Sequence, residues 1–427
     1  MNLFTIAWRN VGRNLRRSLL SGAAIAVATM SIVLLFSILE GMKTDLENNL
    51  IDFYTGEVQL RNPEYGRYEH LNPLHLSVSD AEAVRSRVAG VDGVTAAVAR
   101  LSVPGAVFRN EERIGLQAVG VDFDREGDYS AIGDYLVAGS LDAVTGGASP
   151  DGTSGDGASS SGPTITPVLV GNGVLDRLGI GVGDTFTVVV RTALRGTNAM
   201  TFRAVAVADF PVPTLNDMAF WAPLARIQHL ARMPGQAGEV LAKLDHDRGA
   251  PSRDAVMSAI RSAEPDLEVR HFTEMETTYS FIEMASTAYN IIGLFFFLLA
   301  STVIVNTTMM VIFERRREIG TLEAMGMQAR ELIRMFFSES LIIGVLGALA
   351  GLIMGVGVAL VLSRVGINFS DAMQGVDFEI SPVLYPIVNL RSTVVVFLFS
   401  VVVSGGTSYI PTRRITRIEP VAALREE

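Results

Sequence analysis

Four windows of the 427-residue chain carry no charged side chain: 18–39, 285–313, 340–363 and 392–412. Each is apolar all round and can cross a hydrocarbon core of roughly 30 Å as a helix rising 1.5 Å per residue. Helices buried in soluble proteins rarely sustain more than about 14 apolar residues in a row. The pattern therefore predicts four membrane spans, at 18–39, 284–313, 340–363 and 392–411. Around the first two spans the helical pattern runs on. Met42, Leu46, Leu50 and Phe53 continue one stripe among Lys43, Asp45, Glu47 and Asp52, and residues 272–282 alternate polar and apolar. Two helices are expected to project from the membrane as a stalk.

The long segment between the first two spans, 40–283, has the pattern of a soluble α+β domain. "SDAEAVRSRVAGVDGVTAAVAR" (79–100) and "SRDAVMSAIRSAEPDLEVRHF" (252–272) share one plan: a polar cap, an amphipathic helix, a short Gly or Pro turn and a strand. They read as two halves of one subdomain, with chance similarity as the alternative. The part between them is strand-rich, with strands expected at 102–108, 113–120, 168–171, 184–190 and 201–207. "TGGASPDGTSGDGASSSGP" (145–163) is of low complexity and is read as a disordered surface loop.

Charge sets the orientation. Arg9, Arg13, Arg16 and Arg17 precede the first span, Arg315, Arg316 and Arg317 follow the second, and Arg413, Arg414 and Arg417 follow the fourth. Four crossings place all three clusters on one side, which the positive-inside rule makes cytoplasmic, together with both termini and the 412–427 tail. The 40–283 segment is then extracytoplasmic, as is the 364–391 loop. It holds 34 acidic and 20 basic residues, which argues against nucleic acid or anionic lipid as its partner. Residues 1–17 place Phe4, Trp8, Val11 and Leu15 on one helical face and Arg9, Arg13 and Arg16 on another. An interfacial amphipathic helix and a plain topology signal both explain that pattern. The first span is read as an uncleaved anchor, because it is long for a signal peptide and no small-residue cleavage site stands out.

Several chemistries are excluded. The chain has no cysteine, so disulfides, thiol nucleophiles, thiolate metal sites and lipid attachment through an N-terminal cysteine are ruled out. A Walker motif needs Gly-Lys, and the only lysines, Lys43 and Lys243, follow Met and Ala. The five histidines (His70, His75, His229, His246, His271) have no ligand spacing, and most are read as surface residues. Asp122, Asp124, Glu126 and Asp128 alternate in "VDFDREGDYS", but the rest of a calcium loop is missing and a solvated turn is expected. No catalytic residue and no metal site is assigned. The spans contain no Asp, Glu, Lys, Arg or His, so intrinsic ion coupling is disfavoured and energy must come from elsewhere.

Two span features stand out. Gly347, Gly351 and Gly355 lie four apart on one face of the third span with Gly344 beside them, a face that lets a neighbouring helix of this chain or of a second copy approach closely. Asn306, flanked by Thr302 and Thr307, needs a partner inside a bilayer and is expected to face protein or an internal cavity, as a structural hydrogen bond or a cargo contact. The loop at 314–339 is also unusual. "ERRREIGTLEAMGM" is helical up to about Met325, with Gly326 as a break. Its strip of Ile319, Leu322 and Met325 reads either as a docking surface for a cytosolic partner or as part of a solvated, topology-setting loop.

"FERRREIGTLEAMGMQARELIRMFFSESLIIGVLGALAG" resembles the FtsX-like permease signature of MacB-type ABC transporters. "AWRNVGRNLRRSLLSGAAIAVATM" and "VLDRLGIGVGDTFTV" are similar to other parts of the same family. The layout, without a fused ATPase, is most similar to the lipoprotein-releasing LolC/LolE permeases. The resemblance implies a four-span helical membrane protein with a large extracytoplasmic α+β domain, a porter-like part carrying a β-rich insert. It implies that Arg315, Arg316, Arg317, Glu318, Ile319, Gly320, Thr321, Leu322, Glu323, Ala324, Met325 and Gly326 form a coupling helix seated on a separate cytosolic ATPase. That ATPase would hold the ATP and Mg, leaving no cofactor on this chain. The resemblance further implies a bacterial inner-membrane location, a second permease subunit (the same chain or a paralogue), stalk helices that transmit ATPase closure, and lipoprotein cargo passed to a periplasmic carrier. Thr302, Asn306 and Thr307 are then candidate cargo-facing groups. Export of small amphiphiles or peptides with an adaptor stays open, as does signalling to an extracytoplasmic partner. The low-complexity 145–163 insert departs from the family pattern.

Overall fold

The structure is a computed structural model that describes residues 12, 15–109, 112–146, 165–247, 249–369 and 383–415. The expected amphipathic segment ahead of residue 15, nearly all of the 145–163 loop, part of the 364–391 loop and the tail beyond 415 lie outside the described residues. The chain divides into a helical unit (Met1–Thr44, Glu283–Asp371 and Val383–Glu427) and an α+β unit centred on Asp45–Ile282. The division falls within the first and the second long helices.

The first helix, α1 (Leu15–Leu50), has 36 residues and is about 54 Å long at the usual rise, well beyond its apolar window. It ends in a π-helical turn, Ile51–Thr55, closed by Gly56 at φ 68°. The α+β unit then runs β1 (Val58–Arg61), α2 (Ala81–Ala89), β2 (Val94–Arg109), β3 (Glu112–Val121), α3 (Phe123–Ser130), β4 (Leu136–Ala138), β5 (Thr166–Gly171), α4 (Asn172–Leu178), β6 (Thr185–Arg191), β7 (Thr197–Ala208), β8 (Ala219–Pro223), α5 (Leu224–Ala231), β9 (Glu239–Leu244), α6 (Arg253–Ala263) and β10 (Glu268–His271). The strands join in the order β10-β1-β9-β2-β3-β8-β5-β7-β4, with β6 bridging β2 and β7.

Strand β2 belongs to two parts at once. Its first half, to Arg100, pairs with β9, and Leu101–Arg109 pairs with β3. On one side, the antiparallel set β10-β1-β9-β2 is covered by α2 and α6. Ala81, Val84 and Val88 of α2 and Val256, Met257 and Ile260 of α6 recur at helical spacing and meet Val58, Leu60, Ala97, Ala99, Val240 and Ala242. The two similar helix-strand segments thus close one core, with β2 and β10 as the edges of this four-stranded set. On the other side, alternating residues of β5, β6 and β7 build a second core around Phe186, Phe202 and Phe220, whose rings lie 4.9–6.0 Å apart. A third cluster packs Trp221 on Phe210 at 4.3 Å, with Phe53 of the π turn and Tyr135 beside them.

One expectation needs correction here. "VDFDREGDYS" is not a solvated turn: it forms α3, and Glu126 is only 1% exposed. Four of the five histidines are exposed, as expected of most of them, and His271 is buried.

The helical unit adds α7 (Glu276–Glu314), α8 (Arg316–Ala324), α9 (Ala329–Val365), the short pair β11 (Ile367–Asn368) and β12 (Val383–Leu384), and α10 (Leu390–Ile415). The apolar parts of α1, α7, α9 and α10 are each long enough to cross a membrane. Fully polar-free packing is not used between them. Thr29 of α1 donates to Ser400 of α10 at 3.0 Å, and Ser404 donates to the Ser340 carbonyl of α9 at 3.2 Å. The segment before α10 is tied to α1 within this unit, where the Ile387 amide donates to the Ser37 carbonyl and Asn389 to Glu40, both at 2.9 Å.

Candidate functional site

The corner from α7 through α8 to α9 is built by two breaks in helix geometry. Arg315 leaves helical backbone (φ −95°, ψ 11°), which separates α7 from α8. Gly326, at φ 93°, ends the second turn, a conformation that costs an L side chain strain. Gln328 then caps α9 in a reciprocal box with Glu331. The interior of the corner is apolar: Ile319 is fully buried among Ile312, Leu332, Met335 and Phe336, with Leu322 and Met327 partly buried beside them.

The eleven loop residues whose side chains are described do not share one environment, and the Arg316 side chain lies outside the described residues. Ile319 and Gly320 face inward, and Arg315 is 3% exposed. Its Nη1 donates to Glu339 Oε2 at 2.6 Å and lies 2.5 Å from Oε1. Arg317, Glu318, Thr321, Ala324, Met325 and Gly326 are exposed, Leu322 and Glu323 half-buried. The single outward strip of Ile319, Leu322 and Met325 is thus corrected. Ile319 fills the chain's own core, because residues of a helix three apart drift around its axis, and only Met325, 71% exposed, turns fully out.

The glycine face finds its neighbours inside the chain. A Cβ on Gly347 would lie 2.7 Å from the Gly22 carbonyl, one on Gly351 2.3 Å from that of Ala26, and one on Gly355 3.0 Å from Val33 Cβ, so α9 is seated directly on α1. A Cβ on Gly344 would instead lie 2.7 Å from Ser404 of α10. Asn306 is expected to face protein or an internal cavity. It is exposed on α7, and its side chain makes no hydrogen bond among the described residues; Thr302 and Thr307 donate to their own helix. The same helix exposes Leu294, Phe295, Leu298 and Val303.

One constellation escaped the sequence reading. In the α+β unit, Arg100 of β2 is buried against Glu126 of α3, and donates as well to the Asp52 carbonyl of the π turn at 2.7 Å. Lys243 pairs with the Asp52 carboxylate at 2.6 Å, and the Tyr129 ring lies 5.1 Å from both cations. Burial opposes the Arg100 charge and Glu126 more than offsets this, so its pKa is raised; burial likewise pushes the Tyr129 hydroxyl up. The arrangement fastens the end of the first long helix to β2, β9 and α3. Among the described residues no cluster of His, Asp or Glu has metal-ligand geometry.

Comparison with known proteins agrees with this layout. Residues 18–263, more than half of the chain, match the family described as the MacB-like periplasmic core domain, and residues 290–420 match the FtsX-like permease C-terminal family. The pyoverdine export ATP-binding/permease protein PvdT of Pseudomonas syringae pv. tomato is 30% identical over 116 residues, 27% of this chain and 15% of its own length. The macrolide export ATP-binding/permease protein MacB of Bdellovibrio bacteriovorus is 29% identical over 114 residues, with the same 27% and 15% coverage. The match thus spans only about 15% of the length of these relatives. Among solved structures, the periplasmic region of MacB from Actinobacillus actinomycetemcomitans covers 52% of this chain and 92% of its own, at 11% identity and a TM-score of 0.33. The extracellular domain of the transporter YknZ from Gram-positive bacteria covers 50% and 99%, at 13% identity and a TM-score of 0.29.

Proposed function

From the premise that this chain belongs to the family of permeases with a MacB-like periplasmic core domain and an FtsX-like C-terminal part, we propose that it is driven by a separate cytosolic ATPase docked on α8. The observation that carries this reading is the division of α8 into two faces. Ile319 and Arg315 hold the helix to α9 and α7, while Arg317, Glu318, Thr321 and Met325 are presented outward on a short, rigid platform. A loop needed only for topology has no use for such anchoring. Charged and apolar groups held side by side on a fixed helix suit a groove on a folded partner.

The cargo in this reading is a lipoprotein, released from the outer leaflet of the bacterial cytoplasmic membrane by a pair of permease subunits. A lipid-modified cargo would meet the apolar face of α7 near Asn306, and a periplasmic carrier would take it up. Support comes from the uncharged spans and from the exposed apolar length of α7, which offer nothing to an ion or a polar solute. A second reading, export of small amphiphiles, is favoured by the relatives, which are named for pyoverdine and macrolide export. The test is affinity purification from native membranes in mild detergent, with mass spectrometry of what is retained. Acylated proteins retained with an ATPase support lipoprotein release. An adaptor and no lipoprotein moves the assignment to small-molecule export.

A further inference from the structure

The run Arg315-Arg316-Arg317 invites one explanation for all three residues, yet Arg315 stands apart. It is 3% exposed, at the break between α7 and α8, and one guanidinium nitrogen donates to Oε2 of Glu339 at 2.6 Å and lies 2.5 Å from Oε1. The Phe336 ring lies 5.9 Å from the guanidinium carbon, and Glu318 is 4.0 Å from Nε. Removing two charges from water is costly, and a buried pair is rarely the most stable solution for a core. Topology is served equally well by exposed arginines such as Arg317. The best-attested use of a buried pair is to fix one register among alternatives. The α8–α9 turn centres on Gly326 at φ 93°, with nothing within 4 Å of where a Cβ would stand, and would by itself let α8 swing.

We propose that Arg315 and Glu339 are positioning residues that lock α8 to α9, so that a displacement delivered to the outer face of α8 is passed to α9 instead of being absorbed at the Gly326 turn. Apolar contact alone does not specify this. Ile319, Met335 and Phe336 can slide by a rotamer, whereas the ion pair admits one phase of α8 about its axis. The inference rests on the ATPase-docking reading above for its function, but its geometry is testable without it.

The chain lacks cysteine, so the full-length protein in nanodiscs can carry spin labels at A324C and R334C alone, both exposed positions. With Arg315 and Glu339 intact, one narrow label-to-label distance is expected. Glu339→Gln should lose the narrow distribution, and the swap R315E/E339R should restore it. Without labels, Glu339→Gln should still retain the ATPase, because the outer face is untouched, but lose cargo release, and the swap should regain release. Loss of fold would remove ATPase binding as well, which separates positioning from mere stabilisation. A distribution that stays narrow in Glu339→Gln overturns the proposal, and so does a swap variant that folds but restores neither readout. If the unsubstituted protein retains no ATPase, the docking reading falls, and the label distances still decide whether the pair fixes α8.

Discussion

Replacing Glu126 by leucine should unfold the α+β unit far more easily than its position on a short acidic helix implies. Glu126 is 1% and Arg100 5% exposed. The guanidinium holds the carboxylate through both Nε and Nη2, and Ser130 donates to the same carboxylate at 2.8 Å. Without Glu126, Arg100 keeps, among the described residues, only the Asp52 carbonyl and the face of Tyr129, leaving a buried charge with no counter-charge in contact there. Breaking such a pair costs about 3–5 kcal/mol. For a unit of roughly 240 residues, 1 kcal/mol moves the midpoint by about 2–4 °C, so the expected loss is about 6–20 °C. Trp221, 5% exposed in the neighbouring cluster, reports unfolding through its fluorescence, in urea or on heating, with the full chain in detergent. The control is R100M/E126L, which removes both charges and should recover most of the loss. A single-variant loss below about 1 kcal/mol, the range of exposed pairs, refutes the reasoning, as does a double variant no better than the single one.

Other consequences can be measured separately. Gly351→Ala forces a methyl to within 2.3 Å of the Ala26 carbonyl and should cost about 1–3 kcal/mol of overpacking in the helical unit. Gly357→Ala, which meets nothing within 4 Å, should be neutral or stabilising, and equal melting temperatures for the two variants contradict the packing. His271 accepts the Thr273 amide on Nδ1, and burial, reinforced by the Arg253 charge, pushes its pKa down to about 4. An unfolded histidine titrates near 6.5. The unfolded state therefore binds the extra proton first, and the His271 contribution is complete above pH 6.5 and lost as pH falls towards 4. His271→Asn should flatten that part of the stability profile, and an unchanged acid slope sinks the assignment.

The four spans and most strands were readable because each signal is local: twenty uncharged residues need no partner to be recognised, and alternation in 185–191 shows in the strand itself. What stayed hidden depends on contacts between distant segments. Nothing in "FDREGDYS" shows that Arg100, on another strand, makes one of its acids a core residue, so the stretch looked like a turn. Strands β1 and β9, with four and six residues, carry too little pattern to stand out. The Gly347–Gly351–Gly355 face announced a close neighbour, but α1 as that neighbour follows only from packing. In the arginine run, side-chain type could not separate Arg315 from Arg317. A usable signal was Glu339, a lone carboxylate at the threshold of an apolar span, whose burial demands a cation nearby.

The proposed function requires α8 to seat an ATPase. Tagged protein should be purified from native membranes beside R317E/E318R, which alters only exposed side chains. An ATPase that accompanies the unaltered protein in near-equal amount and is lost from the folded double variant is the expected result. Equal recovery with both proteins, or no ATPase with either, would contradict it.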